Sequence, residues 1–219
     1  MTHRVHPFAH RLGILRDWQS RWFARAGEYQ AFLRTDVLLR RKIAQLTRMM
    51  YVSGVDIERR NSQLRIVIKT SRPGLIIGRS GEGIAKLKKE LDAFVVKNKL
   101  ASADTLKLEV EEIKSPESQA AIVAAMAVEG IEKRTPFRRV LKQTVEKVMA
   151  NRDVQGVRIH LSGRLGGADM ARREQIKRGR IPLQTFRADI DYAHDEAHIP
   201  QGQIGIRVWI YRGDIFEKK

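Results

Sequence analysis

The sequence predicts an α+β protein built from two domains. Its 219 residues allow one large domain or two of about 100 residues each, and 42% of them are hydrophobic, enough for real cores. Apolar residues recur with helical spacing in some segments and alternate as in strands in others. A helix start at Ser115-Pro116, with serine as the cap and proline at the first position, marks the boundary between two such sets.

The charge of the chain restricts the ligands that it can have. Its 42 lysines and arginines against 25 aspartates and glutamates give a net charge of +17 at pH 7. This excess predicts a polyanionic partner, either nucleic acid or an acidic membrane, because cations bound to phosphates release condensed counterions. The longest apolar run, Ala120 to Val128, has nine residues, whereas a bilayer span needs about 20.

Cysteine is absent, which excludes disulfides, thiol nucleophiles and cysteine-ligated zinc. The first residues contain no apolar signal segment. We therefore expect a soluble, basic protein of the cytoplasm.

Residues 1–35 are predicted to form an irregular basic arm. Its arginines lie among aromatic residues: Arg4, Arg11, Arg16, Arg21 and Arg25 beside Phe8, Trp18, Trp22 and Phe23. The arm either packs its tryptophans onto the body of the protein or becomes ordered on RNA with arginine on phosphate. Both interpretations stay open at this point.

The domain predicted for residues 36–115 combines helices and strands. Asp36 is a candidate N-cap for an amphipathic helix that ends near Met50. The following elements are strands over 55–59 and 64–70 with a polar turn at 60–62, a helix over 82–98 and a strand over 106–113. A helical crossover joins the last two strands, so they should lie parallel.

The domain predicted for residues 116–219 begins with helices and ends with strands. An alanine-rich helix starts at Ser115-Pro116 and ends near 133, and a second helix covers 135–150. The strand candidates are 154–162, 184–192 and 203–211. Helices packed on one side of a small mixed sheet are the expected arrangement.

A short glycine motif is the most informative local pattern. Gly78, Arg79, Ser80 and Gly81 follow a strand and open a helix, where glycine lets the backbone approach a sugar-phosphate chain. With Ile76-Ile77 before it, this is the KH pattern, whose loop grips about four nucleotides of a single strand. The alternative is a KH fold whose loop is only a turn. A nucleotide-binding phosphate loop is disfavoured, because it needs Gly-Lys-Ser/Thr at its end.

The helix after Pro136 carries a basic patch. At about 100° per residue, Arg138, Arg139 and Lys142 lie next to one another beside the buried stripe. Arg138 and Lys142 form a like-charge i,i+4 pair, which costs stability unless an anion lies there. A polyanion site is therefore favoured over a solvated helix face.

A third basic segment follows a glycine-rich loop. Arg164 lies within that loop, which covers residues 162–169. The cations that come after it are Arg172, Arg173, Lys177, Arg178 and Arg180. Contact with an RNA backbone and a plain flexible loop are the two interpretations.

Asp189 and Asp191 are the best enzyme-like feature, because two carboxylates on one strand face could hold magnesium for phosphodiester chemistry. His194 and His198 resemble a His-Glu-x-x-His motif only superficially, since Pro200 disfavours a long helix there. Pairing of these acids with the many arginines is the favoured interpretation. No catalytic residue, metal or cofactor is therefore expected.

Taken together, these motifs resemble the small-subunit ribosomal protein S3 family of the bacterial type. The matching segments are 72–82 for the KH loop, 137–142 for the basic helix, and 162–168, 179–183 and 187–192 for the second domain. Matches extend from His6-Pro7 in the arm to residue 210, which is nearly the whole chain. Arg79-Ser80 replaces two lysines that are common in the loop of this family.

The resemblance implies a type II KH domain followed by the family's own α/β domain, in a structural constituent of the small ribosomal subunit. The arm and the third basic segment would neutralise rRNA phosphates in the subunit head. Arg138, Arg139 and Lys142 would face mRNA at the entry channel and help to unpair it, with the tenth and fourteenth small-subunit proteins as neighbours. The alternative is a free KH-type RNA-binding regulator that is not part of the ribosome.

Overall fold

The computed structural model describes residues 5–60, 63–98 and 105–216, so Asn61 and Ser62 of the predicted polar turn lie outside it. Contacts divide the chain into two compact units. The small unit is Trp18–Lys114, and the large unit is the chain up to Asp17 together with everything from Ser115 onward. The predicted domain limits at residues 35 and 115 stay a prediction. No described helix is long and apolar enough to span a membrane.

Helices and strands succeed one another in both units. The helices are α1 (Pro7–His10), α2 (Ala26–Leu46), α3 (Pro73–Ile77), α4 (Glu82–Lys97), α5 (Ala120–Glu132) and α6 (Phe137–Ala150). The strands are β1 (Ser20–Arg21), β2 (Val52–Arg60), β3 (Gln63–Thr70), β4 (Thr105–Glu112), β5 (Gly156–Gly163), β6 (Arg172–Gly179), β7 (Ala188–Ile199) and β8 (Gly202–Asp214). Short 3₁₀ turns cover Arg79–Gly81, Pro116–Ser118 and Leu165–Gly167.

The small unit packs helices on one face of a sheet with the strand order β1-β2-β3-β4. β2 and β3 are antiparallel, whereas β3 and β4 are parallel, which confirms the prediction from the helical crossover. Leu39 and Ile43 of α2 and Leu91 of α4 are buried in one cluster with Ile57 and Ile66 of the sheet.

Helix α2 begins at Ala26, so the predicted helix start at Asp36 is wrong. Asp36 is 3% exposed, and its Oδ2 accepts a hydrogen bond of 3.0 Å from the indole Nε1 of Trp22. Strand β1 pairs Ser20 with Ile57, which aligns this segment with the sheet before α2 starts. The carboxylate therefore fixes the segment that precedes the helix and does not cap the helix itself.

The large unit packs α5 and α6 on one face of a sheet with the strand order β6-β5-β8-β7. The α+β class is confirmed. The pairings described within this sheet are all antiparallel, in place of the mixed sheet that the sequence predicts. Alternate positions of β5 and β8 supply the buried face of the sheet: Val157, Ile159, Leu161, Ile204, Ile206 and Val208.

Local geometry in the large unit corrects several expected boundaries. Residues 172–179 form β6 where a loop was expected, and β7 begins at Ala188 and continues to Ile199. A 3₁₀ turn precedes α5, which begins at Ala120. The N–H of Ala120 donates to Oδ2 of Asp191 at 2.8 Å, so a carboxylate from β7 caps this helix at its observed start.

Candidate nucleic-acid interface

The KH loop lies between α3 and α4 in the small unit. The sequence predicts that this loop follows a strand directly and opens a helix. In the structure the short helix α3 lies between β3 and the loop. Gly78, Ser80 and Gly81 have φ angles of 71°, 52° and 82°, so the loop turns through left-handed conformations. Arg79 and Ser80 are exposed. The loop thus presents its backbone and one guanidinium to solvent at the start of α4.

Glycine also allows α3 and α4 to approach each other closely. A Cβ on Gly78 would lie 2.9 Å from the backbone nitrogen of Gly83, and a Cβ on Gly83 would lie 2.5 Å from the carbonyl oxygen of Ile76. A side chain at either position would force the two helices apart. These glycines therefore set the loop geometry itself, as well as its access to a phosphate chain.

Helix α6 separates its apolar and its basic side chains. Its buried residues face the core of the large unit: Val140, Leu141, Thr144, Val145 and Val148. Arg138, Arg139 and Lys142, here called the α6 patch, are exposed. Within the part of the chain that the structure describes, Arg139 and Lys142 have no ion-pair partner. Two cations of this patch are therefore available to an external anion.

Strand β6 brings two further charges to the α6 patch. Nη2 of Arg138 lies 3.3 Å from Oε1 of Glu174, and Nε of Arg172 lies 3.9 Å from the same oxygen. The guanidinium carbons of Arg138 and Arg172 lie 5.7 and 5.2 Å from the centroid of the Phe137 ring. One carboxylate thus lies between two arginines beside an aromatic ring. It supplies part of the negative charge that the Arg138–Lys142 pair requires.

The polyanion site that the sequence predicts at the α6 patch should bind single-stranded RNA more strongly once Glu174 is replaced by glutamine. The change removes the carboxylate that neutralises Arg138 and Arg172 and keeps the size of the side chain. We expect the affinity for an RNA of about 12 nucleotides to rise about two- to fivefold at low salt, measured by fluorescence anisotropy. Asp92→Asn, an equal charge change on α4 of the small unit, is the control. An equal rise in both variants would contradict the local effect.

Strand β6 divides the third basic segment between the two faces of its sheet. The register pairs Arg178 with the buried Val157, so Arg178 and Arg172 lie on the side of the helices. Arg173 and Lys177 occupy the alternate positions and lie on the opposite side. Arg180 follows the strand and is exposed. Only Arg172 of this segment joins the α6 patch directly, and the predicted rRNA contacts stay predictions.

A second basic face, which sequence analysis missed, lies on the side of this sheet away from α5 and α6. Arg158 on β5 pairs with Lys177 on β6. Arg207 on β8 pairs with His160, two residues further along β5, so it lies on the same face of the sheet as Arg158. Arg173 lies on this face as well. Arg158 lies over the ring of Trp209, at 5.0 Å from its centroid. Arg207 is exposed and has no ion-pair partner among the described residues. Strand pairing alone brings these cations together, so no spacing in the sequence indicates them.

Arg164 fastens the glycine-rich loop to a neighbouring turn. Its Nε donates to the carbonyl oxygen of Ala168 at 2.9 Å, and its Nη1 donates to that of Gln201 at 3.1 Å. Its side chain is still 41% exposed. The guanidinium therefore has a structural role, and its predicted contact with rRNA stays a prediction.

Arg11 is engaged inside the large unit and was predicted to bind rRNA. Arg11 is 0% exposed. Its guanidinium donates to carbonyl oxygens at 2.5 to 3.1 Å: those of Pro7, Leu183, Thr185 and Ala188. Burial lowers the pKa of Arg11, while the carboxylate of Asp189 acts in the opposite direction. This burial excludes a contact with RNA, so we reassign Arg11 to a structural role. Arg4 lies outside the described residues.

Arg16 is paired with the two carboxylates that suggested a metal site. Its Nη2 lies 2.7 Å from Oδ1 of Asp189. Arg212 completes the cluster, with its Nη1 3.6 Å from Asp189 and its Nη2 3.1 Å from Asp191. Two guanidinium groups thus neutralise two carboxylates. Arg16 belongs to this network, and its predicted contact with rRNA stays a prediction. No group of three histidine, aspartate or glutamate residues within the described ranges could hold a metal ion.

Comparison with known proteins identifies the family. A model described as the C-terminal domain of ribosomal protein S3 matches residues 128–210, and a KH domain model matches residues 38–118. The small ribosomal subunit protein uS3 of Caldicellulosiruptor bescii is 43% identical over all of this chain and 96% of its own length. This chain belongs to the uS3 family. Its relatives include uS3 of Syntrophomonas wolfei, 43% identical, and uS3c of Pyropia yezoensis, 39% identical, each over 98% of this chain and 91% of the relative.

Membership of the uS3 family confirms the family resemblance and the order of a KH domain followed by an S3-specific domain. The uS3 proteins are structural, non-enzymatic proteins of the small ribosomal subunit. The helix and strand that precede the β3-α3-α4-β4 core are those of a type II KH domain. Asp189 and Asp191 are paired with Arg16 and Arg212, which agrees with the pairing of these acids with arginines that the sequence favours.

Proposed function

We propose that this uS3 chain binds rRNA in the head of the small subunit and holds mRNA at the entry channel through the α6 patch. One observation carries the mRNA role. Arg138, Arg139 and Lys142 lie exposed on one face of a rigid helix, with Arg172 beside them and Glu174 as the carboxylate that contacts two of these arginines.

A patch of this kind suits a ligand that must move. Guanidinium and ammonium groups attract phosphates irrespective of base sequence, so one phosphate can replace the next without a change in affinity. A single strand held by its phosphates is kept from pairing again with its complement. The α6 patch would therefore assist unwinding of structured mRNA without hydrolysing anything.

Other cations of the chain are assigned to rRNA. The KH loop, with Arg79 exposed, would contact the backbone of a single strand. The cations of the third basic segment would neutralise rRNA phosphates, and Arg172 among them also borders the α6 patch. They are Arg164, Arg172, Arg173, Lys177, Arg178 and Arg180. Within the assembled head, the tenth and fourteenth small-subunit proteins are the proposed neighbours.

Reversing the charge of the α6 patch tests the mRNA role. Arg138→Glu, Arg139→Glu and Lys142→Glu together should leave folding intact and weaken binding of single-stranded RNA at least about tenfold. The slope of log K against log salt should fall by about 2, since each lost contact removes about 0.7 on a single strand. Arg41→Glu, Arg60→Glu and Lys97→Glu, an equal charge change at exposed positions of the small unit, is the matched control. Equal losses in the two variants would leave only a general charge effect.

A free RNA-binding regulator is the alternative, because a KH loop alone would serve it. Small subunits washed at high salt distinguish the two. A constituent of the particle should stay with the subunit through sedimentation, whereas a regulator held by a few exposed cations should dissociate. Recovery of the chain only in the unbound fraction would overturn the ribosomal role.

A further inference from the structure

A cavity of about 450 Å³ lies in the large unit beside the α6 patch. It opens where the turn between α5 and α6, the glycine-rich loop and the turn between β7 and β8 meet. Ile131, Ile199 and Ile204 form apolar walls, and Phe137 adds an aromatic one. Its volume lies within the range of about 300–1,000 Å³ that is typical of ligand pockets. Nothing in the proposed contacts of the α6 patch with phosphates uses this space.

We propose that this cavity receives one unpaired nucleobase of a single-stranded RNA whose phosphates lie on the α6 patch. The inference rests on the proposed function and adds a base-binding subsite to it. Single-stranded RNA is recognised through unstacked bases that are placed against aromatic side chains and held by neighbouring cations. The cavity offers an aromatic wall and apolar surfaces for such a base.

The cations at the cavity match the phosphates that flank a base. Phe137 lines the cavity, and the guanidinium carbons of Arg138 and Arg172 lie 5.7 and 5.2 Å from the centroid of its ring. Arg134 lines the cavity as well. Pro136 and Phe137 are the N-cap and the first residue of α6, so the positive end of a 14-residue helix lies at the same wall. An apolar cavity surrounded by positive charge suits a base that is attached to phosphates, and it suits a neutral ligand less well.

The backbone of Arg134 supports a role in ligand binding. Helix α5 ends with N–H groups of Arg134 and Thr135 donating to the carbonyls of Ile131 and Gly130, at 2.9 and 3.1 Å. In this type of helix end the left-handed position is usually glycine. Here it is Arg134, with a φ of 58°. A cation thus occupies a strained position in the cavity wall where glycine would relieve the strain, as found at functional sites.

Methyl NMR of the full chain tests the proposal. Arg79→Asp with Ser80→Asp first makes the KH loop repel phosphates, so that it contributes no base binding. An oligoadenylate of about 12 nucleotides should then shift the methyl resonances of Ile131, Ile199 and Ile204 by the ring current of the bound base. An abasic strand of equal length should leave them in place and should bind about tenfold more weakly. Ile57 and Ile66, in the core of the small unit, are the control methyls.

Two further arms separate the outcomes. Phe137→Leu should lower the affinity for oligoadenylate to that of the abasic strand, with an unchanged affinity for the abasic strand itself. If the cavity methyl resonances do not move on saturation with oligoadenylate, the base subsite is overturned. The proposed function is tested separately by the charge-reversed variant of the α6 patch. Adenosine monophosphate that shifts these methyls at the same concentration as oligoadenylate would also overturn the base subsite, since a free nucleotide would then suffice.

Discussion

Replacement of Arg11 by methionine is expected to lower the free energy of unfolding of the large unit by about 3–5 kcal/mol. The guanidinium is fully buried and donates to carbonyl oxygens of α1, of the segment before β7 and of β7 itself. Methionine would fill part of the space but would leave these carbonyls without donors, and the bonds to Pro7 and Ala188 are buried. The buried polar groups that lose their partner account for most of the loss.

Thermal unfolding and hydrogen exchange of the amides of β7 would measure this loss. Arg11→Lys keeps the charge but loses the planar guanidinium, which donates to several carbonyls at once. It should therefore lose less stability than Arg11→Met but should not reach that of the original chain. Arg152→Met, at an exposed turn, is the matched control and should change stability by no more than about 0.5 kcal/mol. If Arg11→Met unfolded like the control, the arginine would not be the link between the arm and β7.

The patterns that were predictable from sequence are local ones. The apolar and basic faces of α6 follow from its periodicity, and the helix lies within a residue or two of its expected limits. The parallel pairing of β3 and β4 follows from the helical connection between them. The glycine motif indicates the KH loop because Gly78 and Gly81 have φ angles of 71° and 82°, which residues with a side chain rarely adopt.

The unpredicted features depend on partners that are distant in sequence. Strand β6 lies at the edge of its sheet and carries charges on both faces, so it lacks the alternation that marks a strand. Arg11 looks like a surface cation, and only carbonyls more than 170 residues away make its burial favourable. Asp36 matches the residue type of a helix cap, but it lies inside α2, where its carboxylate accepts a hydrogen bond from the indole of Trp22.

Asp191 is expected to be the most important carboxylate of the arginine–aspartate network. It accepts from the N–H of Ala120 at 2.8 Å, caps α5 and lies 3.1 Å from Nη2 of Arg212. Asp191→Ala should therefore lower the free energy of unfolding of the large unit by about 2–4 kcal/mol. Asp191→Asn should lose less, because an amide oxygen can still accept from Ala120 although the charge is gone.

A double-mutant cycle with Arg212→Met would separate the ion pair from the cap. Once Asp191 is alanine, Arg212 has lost one of its carboxylates, so the second change should cost less than it does in the original chain. We expect a coupling free energy of about 0.5–3 kcal/mol, measured by denaturant unfolding. Additive losses would mean that the two side chains act independently. In that case capping of α5 alone would explain the effect of Asp191, and Asp189 would be sufficient to neutralise both Arg16 and Arg212.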